Sequence, residues 1–142
     1  MKYKKIDNKI LLSLQKGDEI FESINKIINK ENLKFCWLNG IGALENILLG
    51  SYPLAKKDYI KKRFLGEYEL TSLVGNISIK SGNPFIHIHV TISDEECRAY
   101  GGHLFSAYTT ATSEIIIDMI DFDIYRKKSN EIGLHLWDLS CG

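Results

Sequence analysis

The chain has 142 residues, 44% hydrophobic and 25% charged, and its 18 basic and 18 acidic side chains cancel to a formal net charge of zero. This length and composition fit one globular domain, residues 1–142, and the zero net charge excludes the overall basic excess by which proteins commonly bind DNA phosphates. No apolar run reaches the ~20 residues of a membrane span. Residues 1–9 are polar and are not followed by the apolar region of a signal peptide, so a cytoplasmic location is expected.

The first predicted elements are a strand or strand pair over residues 2–14, with a turn at Asp7-Asn8, and then one amphipathic helix. Asp18 is predicted to be the N-cap of the helix, since a short acceptor side chain can bond its first free N–H groups. We expect the helix to end within residues 29–32. Its apolar positions recur every three or four residues, which favours burial against a sheet: Ile20, Phe21, Ile24, Ile27 and Ile28.

The rest of the chain is predicted to be mainly strands. Residues 33–44 carry Gly40 and Gly42, which mark a bulge or a close backbone approach. Further strands are expected over 46–52, 59–65, 67–79 and 85–92, the last two forming a hairpin. A turn at Gly101-Gly102 precedes strands over 103–107, 113–124 and 133–137. The predicted class is α+β: a bent, mostly antiparallel sheet or open barrel of seven to nine strands, with one principal helix.

Basic residues cluster in the loop after residues 46–52 and in the predicted strand 59–65: Lys56, Lys57, Lys61, Lys62 and Arg63. Such a cluster is either a solvated loop and edge strand or a local DNA-binding patch. Only three arginines occur in the sequence, which argues against base readout through arginine–guanine pairs.

Three of the four histidines are predicted to come together. His87 and His89 are two residues apart in a strand, so they share one face at about 6.5–7 Å. Two imidazoles at that spacing can converge on one ion at ~2.0–2.1 Å from each nitrogen. His103 follows a flexible double glycine and is placed to supply a third nitrogen. Three imidazoles leave a position open for water, which is typical of catalytic zinc sites.

The same histidine spacing also occurs in strands that bind no metal, where the rings bond to backbone or carboxylate groups. Glu69 and Glu114 lie on neighbouring predicted strands. Each is a candidate for a fourth ligand, a hydrogen-bond partner of a ligand, or a general base, and each can equally be a surface acid. His135, between two leucines, is predicted to be structural.

The three cysteines, Cys36, Cys97 and Cys141, occur without a C-x-x-C pair. Their odd number argues against a closed set of disulfides. Cys36 lies in an apolar run and is predicted to be a small buried hydrophobe. Cys97 stays an alternative metal ligand, because it falls between His89 and His103 in the sequence.

Several segments taken together indicate a family. They are E-L-T-S-L-V-G-N-I at 69–77, G-N-P-F-I-H-I-H-V at 82–90, G-G-H-L at 101–104, E-I-I-I at 114–117, and the glycine motifs G-D at 17–18 and G-I-G-A-L at 40–44. In this combination the sequence resembles the plants-and-prokaryotes-conserved (PPC) domain, over about residues 8–136. The resemblance implies an α+β fold, a homotrimer, and a histidine pattern that falls on His87, His89 and His103.

In plant members of this family the domain follows AT-hook segments that bind AT-rich DNA, and the domain itself serves trimerisation and contacts with other proteins. This chain has no Arg-Gly-Arg-Pro segment, so direct DNA binding is not expected. Many members carry an arginine on the strand before Gly17, where this chain has Ser13-Leu14-Gln15-Lys16. The fold is also similar, more distantly, to acetolactate decarboxylase, which holds zinc with an H-x-H pair and a further histidine.

Two functions follow from the resemblance. The first is a homotrimeric regulatory or protein-interaction module with a three-histidine metal site, associated with DNA through a partner. The alternative is a Zn²⁺-dependent lyase or hydrolase that acts on a small carbonyl or carboxylate compound, with Glu69 or Glu114 moving protons. Metal content and turnover discriminate between them.

Overall fold

The computed structural model describes residues 1–140, and Cys141 lies outside that range. Within it the chain forms eight strands and one α-helix. In chain order these are β1 (Lys2–Ile6), β2 (Lys9–Gln15), α1 (Ile20–Glu31), β3 (Cys36–Ser51), β4 (Ile60–Lys80), β5 (Asn83–Ser93), β6 (Ala99–Met119), β7 (Tyr125–Lys128) and β8 (His135–Asp138). In the described residues 1–140, no helix is long and apolar enough to cross a bilayer.

The strands form one bent, mostly antiparallel sheet. Their order is β1-β2-β6-β3-β4-β7-β8, and β5 pairs with both β4 and the start of β6. Because β6 also pairs with β3, the strands β3, β4, β5 and β6 close into a partial ring. A parallel contact between Ile79 and Tyr125 joins β7 to β4. The predicted α+β class is confirmed, with a partial ring in place of a full barrel.

Stretches predicted to be separate strands are continuous in the structure, because bulges bend the long strands without ending them. The register of β3 against β4 shifts between Gly40 and Gly42, and again between Glu45 and Ile47. A Cβ atom at position 42 would lie 2.4 Å from the carbonyl oxygen of Thr112 on β6. The predicted close backbone approach at these glycines is therefore confirmed.

The chain reverses before the double glycine, so the predicted turn at Gly101-Gly102 is wrong. The reversal falls at residues 94–98, where Cys97 has a positive φ of 60° and the Asp94 carboxylate accepts the backbone N–H groups of Glu96 and Arg98. Aspartate side chains commonly stabilise such turns. The prediction failed because a pair of glycines was interpreted as a source of flexibility.

The two glycines instead lie in β6 and permit close packing between strands. Gly102 pairs with Val90 on β5, and a Cβ atom at position 102 would lie 2.8 Å from the carbonyl oxygen of Gly50 on β3. No side chain fits at that separation. Because the strand continues straight, His103 lies directly opposite His89.

Helix α1 packs one apolar face onto the sheet. The face consists of Ile20, Ser23, Ile24, Ile27 and Ile28. Asn32, at φ 53°, ends the helix in a left-handed conformation and donates its N–H to the carbonyl oxygen of Ile28. The predicted apolar face and end of the helix are confirmed.

The N-cap of α1 is Glu19, so the prediction of Asp18 is wrong. The buried Glu19 carboxylate accepts the N–H of Glu22 at 2.7 Å and the N–H of Ala107 on β6 at 3.3 Å. It thus joins the helix start to the sheet. Asp18 accepts the N–H of Gln15 and pairs with the amino terminus. Glutamate is an uncommon cap, and only the position of β6 makes it favourable here.

Replacing Glu19 by alanine should lower the free energy of unfolding by about 1–3 kcal/mol, because two backbone N–H groups lose their acceptor in a buried setting. Urea denaturation measures the change. Asp18→Ala is the matched control and should cost less than about 1 kcal/mol, since its carboxylate is partly solvated. Equal costs for the two variants would contradict the assignment of the cap.

Candidate metal centre

Strand alternation and register bring three histidines together. On β5, Ile88 points into the core with no exposed surface, so His87 and His89 face the other side. His103 on β6 is the direct cross-strand partner of His89. The ring centroids of His87, His89 and His103 lie 5.1, 5.2 and 5.4 Å apart in pairs. The histidines that the sequence analysis grouped do lie together.

The three side chains can converge on one ion. One ring nitrogen from each of His87, His89 and His103 lies within 4.8 Å of the other two. Small ring rotations close that distance onto a single ion at the ~2.0–2.1 Å typical of zinc–imidazole bonds. The centre is half-buried, with His89 its most exposed member.

The histidines are neutral at physiological pH. Burial, together with smaller electrostatic contributions from Arg126 and His89, lowers the pKa of His87 to about 4. Burial also lowers the pKa of His103 to about 4 and that of His89 below its usual value. A neutral imidazole has a free nitrogen lone pair, so the rings are ready to bind a metal without first losing a proton.

His103 shows that the site fits a metal. Its Nδ1 atom is buried and has no hydrogen-bond partner in the part of the chain that the structure describes. Leaving a buried polar atom unpaired is costly, and such atoms in native proteins commonly mark an ion or a water site. An ion or a water molecule bound to this nitrogen would satisfy it.

Aromatic rings form one side of the centre. Tyr59 and Phe105 lie with their ring centroids 5.0 and 4.8 Å from that of His103. Burial raises the pKa of the Tyr59 hydroxyl, so it stays protonated at neutral pH. The rings shield His103 from water and fix its orientation.

Gly75 on β4 lets the histidine strand approach closely. It pairs with Ile88, and a Cβ atom on it would lie 2.4 Å from the carbonyl oxygen of His87 and 2.8 Å from the Ile88 side chain. Real Cβ atoms essentially never come that close to another atom. Glycine at this position therefore determines how far β5, with its two histidines, sits from β4.

The two predicted acidic partners lie elsewhere in the subunit. Glu69 pairs with Ser93 at the far end of the β4–β5 ladder, and Glu114 pairs with Ser13 and Ile41. Neither joins the group of side chains that can share an ion. Their proposed part in proton transfer stays a prediction.

Other candidate residues are also placed by the structure. Cys97 is exposed in the 94–98 reversal and is outside the histidine group. Cys36 is buried, as predicted, and burial raises the pKa of its thiol to about 12. His135 lies on β8 and is also outside the group.

Sequence reasoning missed Arg126, which reaches the centre from β7. Its Nη2 atom lies 3.5 Å from Nδ1 of His87. Nothing in the sequence pattern points to this contact, because 39 residues separate the two and β7 is a short polar strand. Only the parallel pairing of β7 with β4 brings the arginine there.

Comparisons with known proteins agree with this architecture. A family model described as the Plants and Prokaryotes Conserved (PCC) domain matches residues 1–121. No curated protein matches the sequence.

Solved structures with the same fold include several prokaryotic proteins. One from Bacteroides thetaiotaomicron, described as a "putative dna binding protein", is 29% identical, covers 98% of this chain and 97% of its own, and has a TM-score of 0.94. A PPC protein from Pyrococcus horikoshii is 33% identical over 96% and 93% of the two chains, with a TM-score of 0.84. A metal-containing protein from Archaeoglobus fulgidus is 32% identical over 96% and 99%, also with a TM-score of 0.84.

The distant similarity to acetolactate decarboxylase is also confirmed at the level of fold. The enzyme from Bacillus subtilis is 16% identical and covers 89% of this chain and 58% of its own, with a TM-score of 0.58. The two chains therefore share a fold, and the likeness carries no statement about activity.

Proposed function

This chain belongs to the Plants and Prokaryotes Conserved domain family (abbreviated PCC or PPC), and on that premise we propose that it is a homotrimeric metal-binding protein in which His87, His89 and His103 hold one Zn²⁺ ion. The observation that carries the proposal is the grouping of three neutral imidazoles, one of which, His103, has a buried and unpaired Nδ1 atom. A similar protein from Archaeoglobus fulgidus is described as metal-containing, which supports it.

The proposed centre has room for a ligand on the metal ion as well as for the ion itself. Three nitrogen ligands leave one tetrahedral position open, and the exposure of His89 gives solvent access to it. Tyr59 and Phe105 provide an apolar surface beside His103. A zinc ion, when bound, polarises a carbonyl group or activates a water molecule.

Elemental analysis of the purified protein tests the metal proposal. We expect close to one zinc ion per chain after dialysis against zinc and then against buffer. Protein that retains no stoichiometric metal after this treatment would contradict the proposal. A different divalent metal at full occupancy would support the three-histidine site but contradict the assignment of zinc, because imidazole also suits copper, nickel and iron.

Trimer formation is supported by an apolar groove on the outer face of the sheet. The groove has a volume of about 680 Å³, and Leu11, Ile41 and Ile116 line it with 43%, 58% and 43% of their surfaces exposed. Exposed apolar patches of this kind mark interaction sites. A second copy of the chain is the occupant we propose, since the family resemblance implies a homotrimer.

Placing a charge in this groove should separate the subunits. Ile41→Lys should convert a trimer to monomers at micromolar concentration, because a lysine at the centre of the interface loses its hydration. Sedimentation equilibrium gives the molecular mass. Leu54→Lys, at another site 63% exposed, is the control and should leave the mass unchanged. A wild-type chain that sediments as a monomer would contradict the trimer.

Enzymatic activity is the second candidate, favoured by the open metal position. The reaction would be of lyase or hydrolase type on a small carbonyl or carboxylate compound. In residues 1–140 no carboxylate belongs to the histidine group, so a general base would be a water molecule or a group from a neighbouring copy. Turnover that disappears on zinc removal and returns with zinc would favour this candidate over a regulatory module.

Direct binding of DNA is not expected, and the basic cluster is the surface that would carry it. Lys56, Lys57, Lys61, Lys62 and Arg63 are all exposed around the β3–β4 connection. Binding through such a patch should be weak and salt-sensitive. A gel-shift experiment at low salt that shows no complex would remove direct binding and leave association through a protein partner.

A further inference from the structure

Arg126 carries a half-buried positive charge to the edge of the histidine centre. Its guanidinium is held by neutral acceptors: Nε donates to Ser78 Oγ at 2.7 Å, Nη1 to the His135 carbonyl oxygen at 2.8 Å, and Nη2 to Asn76 Oδ1 at 2.9 Å. The ring of Phe85 lies 4.9 Å from the guanidinium carbon. These contacts fix the guanidinium firmly in place and leave its charge uncompensated.

No acidic group offsets that charge. In residues 1–140, Arg126 takes part in none of the ion pairs. Burial lowers its pKa, but an arginine stays protonated in proteins. A partly buried charge without a partner is unfavourable, and an anion bound beside it removes the cost.

A second cation approaches the centre near His103. The Nζ atom of Lys61 lies 4.0 Å from the ring centroid of Phe105, which packs against His103. The charge of Lys61 is among the causes that lower the pKa of His103. Two cations thus approach the three neutral imidazoles, and a divalent ion would raise the local positive charge further.

The contact between Arg126 and His87 also leaves the positive charge without an anionic partner. A histidine that binds metal normally donates its other N–H to a carboxylate or carbonyl oxygen. Here a guanidinium, which can only donate, faces Nδ1 of His87 at 3.5 Å. The contact is long for a hydrogen bond, so the Nη2 group has capacity for a stronger acceptor.

We propose that the centre binds its metal together with a small organic carboxylate, which occupies the open metal position and pairs with the guanidinium of Arg126. This inference rests on the metal binding proposed above. The planar fork of arginine matches a carboxylate. The rings of Tyr59 and Phe105 beside His103 favour an organic anion over an inorganic one. Arg126 is then the residue that selects a negatively charged ligand.

Titration of Zn²⁺ into chelator-stripped protein, with and without millimolar acetate, tests the proposal by calorimetry. For the wild type, acetate should tighten zinc binding roughly tenfold or more, because the two bound charges attract each other in a poorly hydrated site. Arg126→Gln should bind zinc at least as tightly without acetate, since a repulsive charge is gone, and should lose the acetate effect. Arg126→Lys should keep part of it.

Three further measurements distinguish the alternative explanations of the acetate effect. Lys127→Gln, which removes a neighbouring exposed charge, controls for net charge and should retain the full acetate effect. Sulfate in place of acetate should tighten binding less, and a larger effect of sulfate would overturn the carboxylate assignment. In cobalt-loaded protein, acetate should change the visible absorption of the wild type but not of Arg126→Gln.

Zinc binding that does not respond to acetate would overturn this inference and leave the metal proposal intact. An acetate effect that persists in Arg126→Gln would overturn the role of the arginine. Absence of zinc binding under every condition would overturn the metal proposal, and this inference with it. A merely structural role for Arg126 would change thermal stability but not the response to acetate.

Discussion

Replacing His89 by alanine should lower the affinity for Zn²⁺ by roughly a hundredfold or more. Loss of a residue that merely supports a metal ligand commonly costs 10–100-fold in affinity, so loss of a ligand itself should cost at least as much. Among the three histidines, His89 is the one whose removal should disturb the fold least, because it is the most exposed. The change in affinity therefore reports on ligation and not on unfolding.

Competition with a chromophoric chelator measures this affinity, and circular dichroism verifies that the variant is folded. His135→Ala is the matched control, because His135 is outside the group and its backbone carbonyl, which Arg126 uses, survives the substitution. The control should bind zinc like the wild type. Equal affinities of wild type and His89→Ala would refute the three-histidine site.

Gly75→Ala should cost about 3 kcal/mol of unfolding free energy and weaken zinc binding at the same time. The added methyl group would lie 2.4 Å from the carbonyl oxygen of His87 and 2.8 Å from the side chain of Ile88. Overpacking of this kind commonly costs 1–3 kcal/mol, and more where backbone has to move. The only relief is a displacement of β5, which carries His87 and His89 with it.

Urea denaturation and zinc titration of the same preparation measure both effects. Gly82→Ala is the control in the same hairpin: it has a positive φ of 79° but no atom within 4 Å of the added Cβ. It should cost about 1–2 kcal/mol for its backbone conformation and leave zinc affinity unchanged. A Gly75→Ala protein as stable as the wild type would show that β4 and β5 are not in close contact.

Much of the fold and the grouping of the histidines could be predicted from local pattern. Alternation along β5 gives the shared face of His87 and His89, and the spacing of four isoleucines gives the buried side of α1. Both depend on neighbours in the sequence, whose geometry is determined by the regular period of strand or helix.

The errors arose where distant segments determine the local structure. Glu19 caps α1 only because Ala107 of β6 lies beside it, and Gly102 is needed because Gly50 packs against it. Arg126 reaches His87 through the pairing of β7 with β4. None of these contacts produces a periodic pattern in the sequence, so they could not be predicted from this sequence alone.

The pairing of β6 with three strands, β2, β3 and β5, has a consequence for the order of folding. The β4–β5 hairpin is local and can form early, but β6 must find β2, whose residues lie about a hundred positions away, as Lys9 and Asp118 do. Non-local pairings of this kind form slowly. The β5–β6 hairpin, by contrast, is as local as the β4–β5 hairpin, because His103 pairs with His89 across the reversal at 94–98. The three histidines can therefore come together during synthesis before the pairing of β6 with β2 completes the sheet.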